Sequence, residues 1–237
     1  MTNIFIEAKS KDTPECHFLQ TIIKIVDPKM EIKFIPMNGI GNLFNESILN
    51  KIKEVQEIGE QVIVFADADT KAKKYGYVKR KAEIDKGMVA NAVSFPYFLY
   101  PNNQDDGDVE ILMEAATRKD LHPVFFDCFN DYETCVSSAK DESGVSKYNV
   151  PSLKNKLHTY MAAQKLSRKY RDRLGKGDWL FENKDFWDLD IDELKPLKKF
   201  LTAISEFFIY DLPTVVKSKI TSKSIPKYPN SDELSSP

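Results

Sequence analysis

Val62-Ile63-Val64-Phe65-Ala66-Asp67-Ala68-Asp69 is the stretch that decides the fold class. Five apolar residues run without polar alternation and stop at two aspartates. A strand with one face in water alternates, so an unbroken run predicts a strand covered on both faces. Asn3-Ile4-Phe5-Ile6, ending in Glu7, has the same character. Strands of this kind need helices on both sides of one sheet.

The intervening sequence supplies them. Thr13-Pro14 is a helix-start signal, a hydroxyl followed by a proline whose missing N–H costs nothing there. Phe18, Leu19, Ile22, Ile23 and Val26 then recur at helical spacing until Asp27-Pro28. Residues 31–37 predict a second strand around Ile32, Phe34 and Ile35, and 38–42 a turn. Leu43, Ile48, Ile52 and Val55 predict a helix over 43–58. Residues 92–100 predict a fourth strand, with Pro96 at an edge or an entry point. The order strand, helix, strand, helix, strand, long connection, strand is that of an α/β fold: a mainly parallel four-stranded sheet flanked by helices. Functional groups in such sheets gather at the carboxyl ends of the strands, where Glu7, Asp67 and Asp69 fall.

Beyond about residue 118 the strand signal fades. Apolar spacing predicts one long helix over Ser152–Leu174 and another over Ile191–Ile209, packing through Leu194, Leu197, Phe200, Leu201, Ile204 and Phe207. The expected organisation is an α/β domain at 1–117, a C-terminal helical appendage at 118–212 and a flexible Ser/Lys/Pro tail at 213–237. Trp179 and Trp187 are expected to anchor the appendage, and Cys128 and Cys135 to be buried.

Apolar residues make up 42 % and charged residues 30 % of the 237, which argues against global disorder. Three cysteines without a C-x-x-C pair point to a reducing compartment. No signal peptide is evident and no apolar run approaches a membrane span, so the expected location is the cytoplasm, with no membrane partner. The three histidines lack metal-ligand spacing, and neither a Walker-type phosphate loop nor a Gly-x-Ser-x-Gly elbow is present.

Asp67-Ala68-Asp69 at a strand end aims two carboxylates the same way, because side chains two apart share a face. Like charges so close repel unless a cation or a proton intervenes. Hard oxygen ligands suit Mg²⁺ or Mn²⁺. Glu7, ending a separate strand, strengthens that reading over one in which the acids merely open loops. Asp105, Asp106, Asp108 and Glu110 follow the fourth strand, where Asp108 and Glu110 could complete a metal site. Asp106 and Asp108 could equally cap a helix or lie in its first turn, which a residue further in, Glu110, does not need to explain it.

These residues resemble the Toprim domain, the α/β metal site shared by topoisomerases, primases and OLD-type nucleases. Ile4-Phe5-Ile6-Glu7 and Val62 to Asp69 carry the resemblance, which covers about residues 1–117. It implies that Glu7 acts as general acid or base, or joins the metal site, and that Asp67 and Asp69 hold Mg²⁺. A looser match, through Phe98-Leu99-Tyr100-Pro101-Asn102-Asn103, Asp106 to Leu112, Trp187 and Leu194-Lys195-Pro196-Leu197, is to small stand-alone bacterial Toprim-like proteins of unknown function. Two positions depart from the pattern. Ala8 stands where a glycine is usual, and Thr70-Lys71 stands where topoisomerases carry a third aspartate.

The net charge of -2 hides a segregation of 34 basic from 36 acidic residues. Six of the eleven residues from Lys71 to Lys81 are basic and none is acidic. Lys71, Lys73, Lys74, Lys79, Arg80 and Lys81 there could hold phosphates, and Tyr75 or Tyr77 could stack on a base. A solvated helix face is the bland alternative. Residues 143–171 carry Lys147, Lys154, Lys156, Lys165, Arg168, Lys169 and Arg171 without any acid, a ridge that could track a nucleic-acid backbone or meet a protein partner.

The leading expectation is a Mg²⁺-dependent phosphodiesterase, a nuclease acting on DNA or RNA. The alternative is a Toprim-fold binding or regulatory subunit, the effector of a bacterial defence or toxin system. It would be controlled by a partner ATPase; the expected partners are nucleic acid and either an ATPase protein or further copies of the chain.

Overall fold

The computed structural model describes residues 1–210, with side chains to residue 206. The tail expected at 213–237 and the side chain of Phe207 lie outside the described residues. Four strands, β1 (Thr2–Ile6), β2 (Ile32–Pro36), β3 (Gln61–Asp67) and β4 (Tyr97–Tyr100), pair in the order β2-β1-β3-β4, all parallel. α1 (Pro14–Val26), α2 (Glu46–Glu57) and α3 (Tyr77–Asn91) are the crossovers. α4 (Val109–Ala115), α5 (Pro123–Ser138), α6 (Leu153–Ala162), α7 (Arg168–Leu174) and α8 (Lys195–Tyr210) follow.

The unbroken apolar runs are explained by two cores. Ile4, Ile6, Ile63 and Phe65 point to a face covered by α1, α4, α6 and α8. Phe5, Val62, Val64 and Ala66 point to the other face, under α2 and α3. Alternate residues therefore enter different cores, and neither face of β1 or β3 meets water. The first core also takes in Phe126, Leu157, Tyr160, Trp179, Trp187 and Leu201, so the C-terminal helices close over the sheet rather than stand apart from it. Trp187 donates its indole N–H to Trp179 O at 2.8 Å, giving the one polar atom of that buried ring a partner.

Several expected elements change in detail. Ser152–Leu174 is two helices, because Ser167 starts α7 afresh: its Oγ accepts from Tyr170 N, and residues 163–167 leave the helical path. The fourth strand shrinks to 97–100, because α3 runs on to Asn91 and ends at Ala92 in a left-handed conformation. The expected long connection before it holds that helix. Pro96 remains at the strand's entry, where its carbonyl accepts from Val64 N at 3.0 Å. The helix expected over 43–58 begins only at Glu46, after a single 3-10 turn at 40–42. Cys128 and Cys135 are exposed on α5, not buried; only Cys16 is. Ala8 is not among the residues with positive φ, so it carries no strain for want of a glycine. Among the described residues no helix is long and apolar enough to cross a membrane.

Candidate active site

The chain leaves β1 for β2 on one side and returns to place β3 on the other, so the sheet's switch point lies between β1 and β3. Open parallel sheets form their binding crevice there, beyond the carboxyl ends of the strands. Register puts Ile6 beside Phe65, so Glu7 leaves β1 level with the last residues of β3. Glu7 N donates to Phe65 O at 3.2 Å, and Asp67 N donates to Glu7 Oε2 at 3.1 Å. Two motifs sixty residues apart are thereby locked edge to edge.

A cavity of about 410 Å³ opens over this point, lined among others by Glu7, Glu15, Asp67, Tyr100, Val109 and Lys154. Asp67 sits at its base and accepts from Val109 N at 3.0 Å, capping α4 in place of Asp108. Burial, and then the carboxylates of Glu7, Glu110 and Asp108, push the Asp67 carboxyl well above the usual carboxylate range. Burial likewise raises Glu7, with the Asp69 charge adding to it, and raises Glu110 against the pull of Lys154. Among the described residues Asp108 Oδ1 is buried without a hydrogen-bond partner, while its Oδ2 lies 4.0 Å from Lys73 Nζ. Glu7 and Asp67 thus line the cavity while Glu110 and Asp108 act on Asp67 from the start of α4, and Glu7, Asp67 and Glu110 hold their protons more tightly than free carboxyls do.

Asp69 stands apart from that group. The strand ends at Asp67, and Asp69 takes φ of 61°, bridging Gly107 through two backbone bonds of 2.7 and 2.8 Å. The same-face expectation for Asp-x-Asp therefore does not carry beyond the strand. Asp69 instead receives Arg80 Nη2 at 2.8 Å and Lys73 Nζ at 3.0 Å. Asp106 neither joins the metal group nor caps α4: its Oδ1 accepts from Tyr77 N at 2.8 Å, capping α3. Gly76, at φ of 116°, makes that cap possible, since a Cβ there would lie 2.7 Å from Asp106 Oδ1.

The Lys71–Lys81 segment is largely committed within the fold. Arg80 is buried, holding Asp69 and Glu83 and lying over the Tyr75 ring at 3.9 Å. Lys73 binds Asp69, Lys81 binds Asp85 at 2.7 Å, and Lys79 donates to Lys74 O at 2.9 Å. Lys71 and Lys74 are exposed.

Sequence reasoning missed Glu15 and Lys154 as neighbours of the site. Lys154, near the start of α6, pairs with Glu15 on α1 and with Glu110 on α4 at 3.3 Å. Tyr100, fully buried at the end of β4, lines the same cavity, and its hydroxyl has no hydrogen-bond partner among the described residues. The one signal available for Lys154 was its place in the acid-free stretch.

The donor set fits a hard divalent cation. It offers crowded carboxylates and one buried oxygen, Asp108 Oδ1, without a donor. Among the described residues no group of three or more His, Cys, Asp or Glu side chains is arranged as a metal cage. Mg²⁺ does not require one, since it keeps several waters and binds through one or two carboxylates together with substrate phosphates.

A family model described as a protein of unknown function (DUF3226) matches residues 6–206, spanning the sheet and the helical region alike. No curated protein and no solved structure matches the chain.

Proposed function

The chain belongs to the DUF3226 family, and we propose that it is a Mg²⁺- or Mn²⁺-dependent phosphodiesterase acting on nucleic acid at the cavity between β1 and β3. One observation carries the reading: Glu7 and Asp67 line one cavity and share a hydrogen bond, Asp108 and Glu110 at the start of α4 bring their charges to bear on Asp67, and Asp108 keeps one buried oxygen without a partner among the described residues. Carboxylates brought together in this way favour a bound cation or a proton over bare charges. The resemblance of Ile4 to Glu7 and Val62 to Asp69 to Toprim supports it.

Asp67 and Asp108 would hold the metal, which supplies Lewis-acid polarisation of a phosphate and a more acidic bound water. Glu7, whose carboxyl burial holds above the usual carboxylate range, is suited to take and return a proton, and the bond it accepts from Asp67 N fixes its orientation. Glu110 is held by Lys154, and Asp69 by Arg80 and Lys73, so both serve as the second rank of the site.

The test is hydrolysis of bis(p-nitrophenyl) phosphate and of labelled DNA and RNA with Mg²⁺ or Mn²⁺. Asp67→Ala abolishes metal-dependent turnover and Glu7→Gln lowers it about 100-fold or more. Turnover in Asp67→Ala equal to that of the unaltered protein refutes the assignment.

A second reading has its own support. Asp69 is sealed by two cations, and no cage is assembled among the described residues. A site in that state suits an effector switched on by a partner such as an ATPase. Under this reading the isolated chain is silent toward every substrate while still binding Mn²⁺.

A further inference from the structure

If the cavity cleaves phosphodiesters, the strand must be held by cations the fold has not already used, and the Lys71–Lys81 segment offers few. We infer that the polynucleotide backbone is gripped by the opposite lip of the cavity, formed by residues 8–13 and α7. This rests on the phosphodiesterase reading.

Lys9 lines the cavity, and Lys11 follows it on the same exposed segment. That segment ends at Thr13, also a cavity residue. Gly177, just past α7, packs directly on it: a Cβ at Gly177 would lie 2.9 Å from Asp12 O and 3.1 Å from Thr13 Cα. Phe181 continues the contact, edge-on to Phe18 of α1 at 5.1 Å. The segment 175–181 therefore bolts α7 to the cavity lip. Seven residues of helix span only about 10 Å, so α7 stays within a few nucleotides of the cavity.

Lys9, Lys11, Arg168, Lys169, Arg171 and Lys176 are exposed, and none has an acidic partner among the described residues. The contrast with Arg80, Lys73 and Lys81 is direct, since each of those is paired. Asp12 and Asp172 are interleaved, so the lip is a net-positive track rather than a pure one. Tyr170, 39 % exposed amid these cations and near the Arg173 guanidinium at 5.8 Å, offers a ring for a base. Spaced cations with an aromatic between them fit a flexible single strand, whose phosphates and bases are both accessible.

The experiment is fluorescence anisotropy with the full chain in EDTA, which separates binding from cleavage, using labelled oligo-dT and oligo-U of twenty nucleotides. The triple charge reversal R168E/K169E/R171E is expected to weaken binding at least 10-fold at 100 mM salt. The neutral triple R168Q/K169Q/R171Q, which guards against a folding defect, is expected to lower the salt slope by about 2, for three phosphate contacts at about 0.7 each. K71E/K74E/K79E, which reverses the lysines of the other basic run that have no acidic partner among the described residues, is expected to weaken binding less than the α7 reversal does. Unchanged affinity and slope in both α7 triples overturns the inference. So does loss of binding only in the 71–79 reversal, or binding to phosphatidylserine vesicles without binding to either oligonucleotide. Hydrolysis of bis(p-nitrophenyl) phosphate by the unaltered chain reads the cavity chemistry independently, so the two failures are distinguishable.

Discussion

Arg80 Nη2 stands 2.8 Å from Asp69 Oδ2, and the two side chains are only 7 % and 16 % exposed. The pair joins α3 to the turn after β3, and Arg80 also holds Glu83 at 3.2 Å. A buried pair adds little over an apolar replacement of both partners, but removing one partner strands a charge. Arg80→Met leaves Asp69 with Lys73 as its remaining partner and is therefore expected to cost about 2 kcal/mol in urea unfolding. Lys71→Met, on the exposed part of the same basic run, should stay within about 0.5 kcal/mol. Equal effects of the two would mean that Arg80 is as solvated as its neighbours.

Asp67 works against the metal-free fold. An acid whose folded affinity for its proton exceeds the unfolded value destabilises the folded state once pH rises above the unfolded value. Asp67→Asn is expected to raise the urea midpoint at pH 7 in EDTA while removing metal-dependent activity. Mg²⁺ should raise the thermal midpoint of the unaltered protein by mass action and leave that of Asp67→Asn unmoved. A lower midpoint for Asp67→Asn in EDTA would show that its bond to Val109 N outweighs the crowding.

Asp178 behaves in the opposite sense. Burial alone would raise its carboxyl, but the Arg173 guanidinium at 2.7 Å and Leu180 N hold it below the usual range. Its stabilisation is fully present above the unfolded value of about 4 and is lost as pH falls through the lower folded value. Asp178→Asn should flatten the fall in urea midpoint as pH drops below about 4. An unaltered slope would place the acid sensitivity elsewhere.

Gly87, within α3, separates packing from propensity. Alanine would gain about 1 kcal/mol as a helix former. A Cβ there meets the Phe44 ring at 2.2 Å, and that ring stacks on Phe95 at a centroid distance of 6.5 Å. Overpacking of this kind costs about 1–3 kcal/mol, so Gly87→Ala is expected to destabilise by about 1 kcal/mol net. A stabilised variant would mean that Phe44 swings away freely.

The sheet was legible because Ile4 to Ile6 and Val62 to Ala66 lack alternation, and only burial on two faces accounts for that. Glu7 and Asp67 were legible because each ends such a run. The division of α6 from α7 was not, since Ser167 reads as an ordinary helix residue until its hydroxyl is seen to accept from Tyr170 N. The exposure of Cys128 and Cys135 was equally hidden, because cysteine is compatible with either side of a helix.

By itself the sequence determined the parallel α/β layer, the strand-end position of Glu7 and Asp67 and the segregation of charge. These follow from periodicity, which is local. Only the tertiary structure decided which charges meet. It sent Arg80 and Lys73 to Asp69, and brought Lys154 to Glu15 and Glu110 from another helix. Among the described residues it left Arg168, Lys169 and Arg171 of α7 exposed and without acidic partners. Ion pairing depends on distances of a few ångströms between segments far apart in the chain, and no pattern along the chain encodes them.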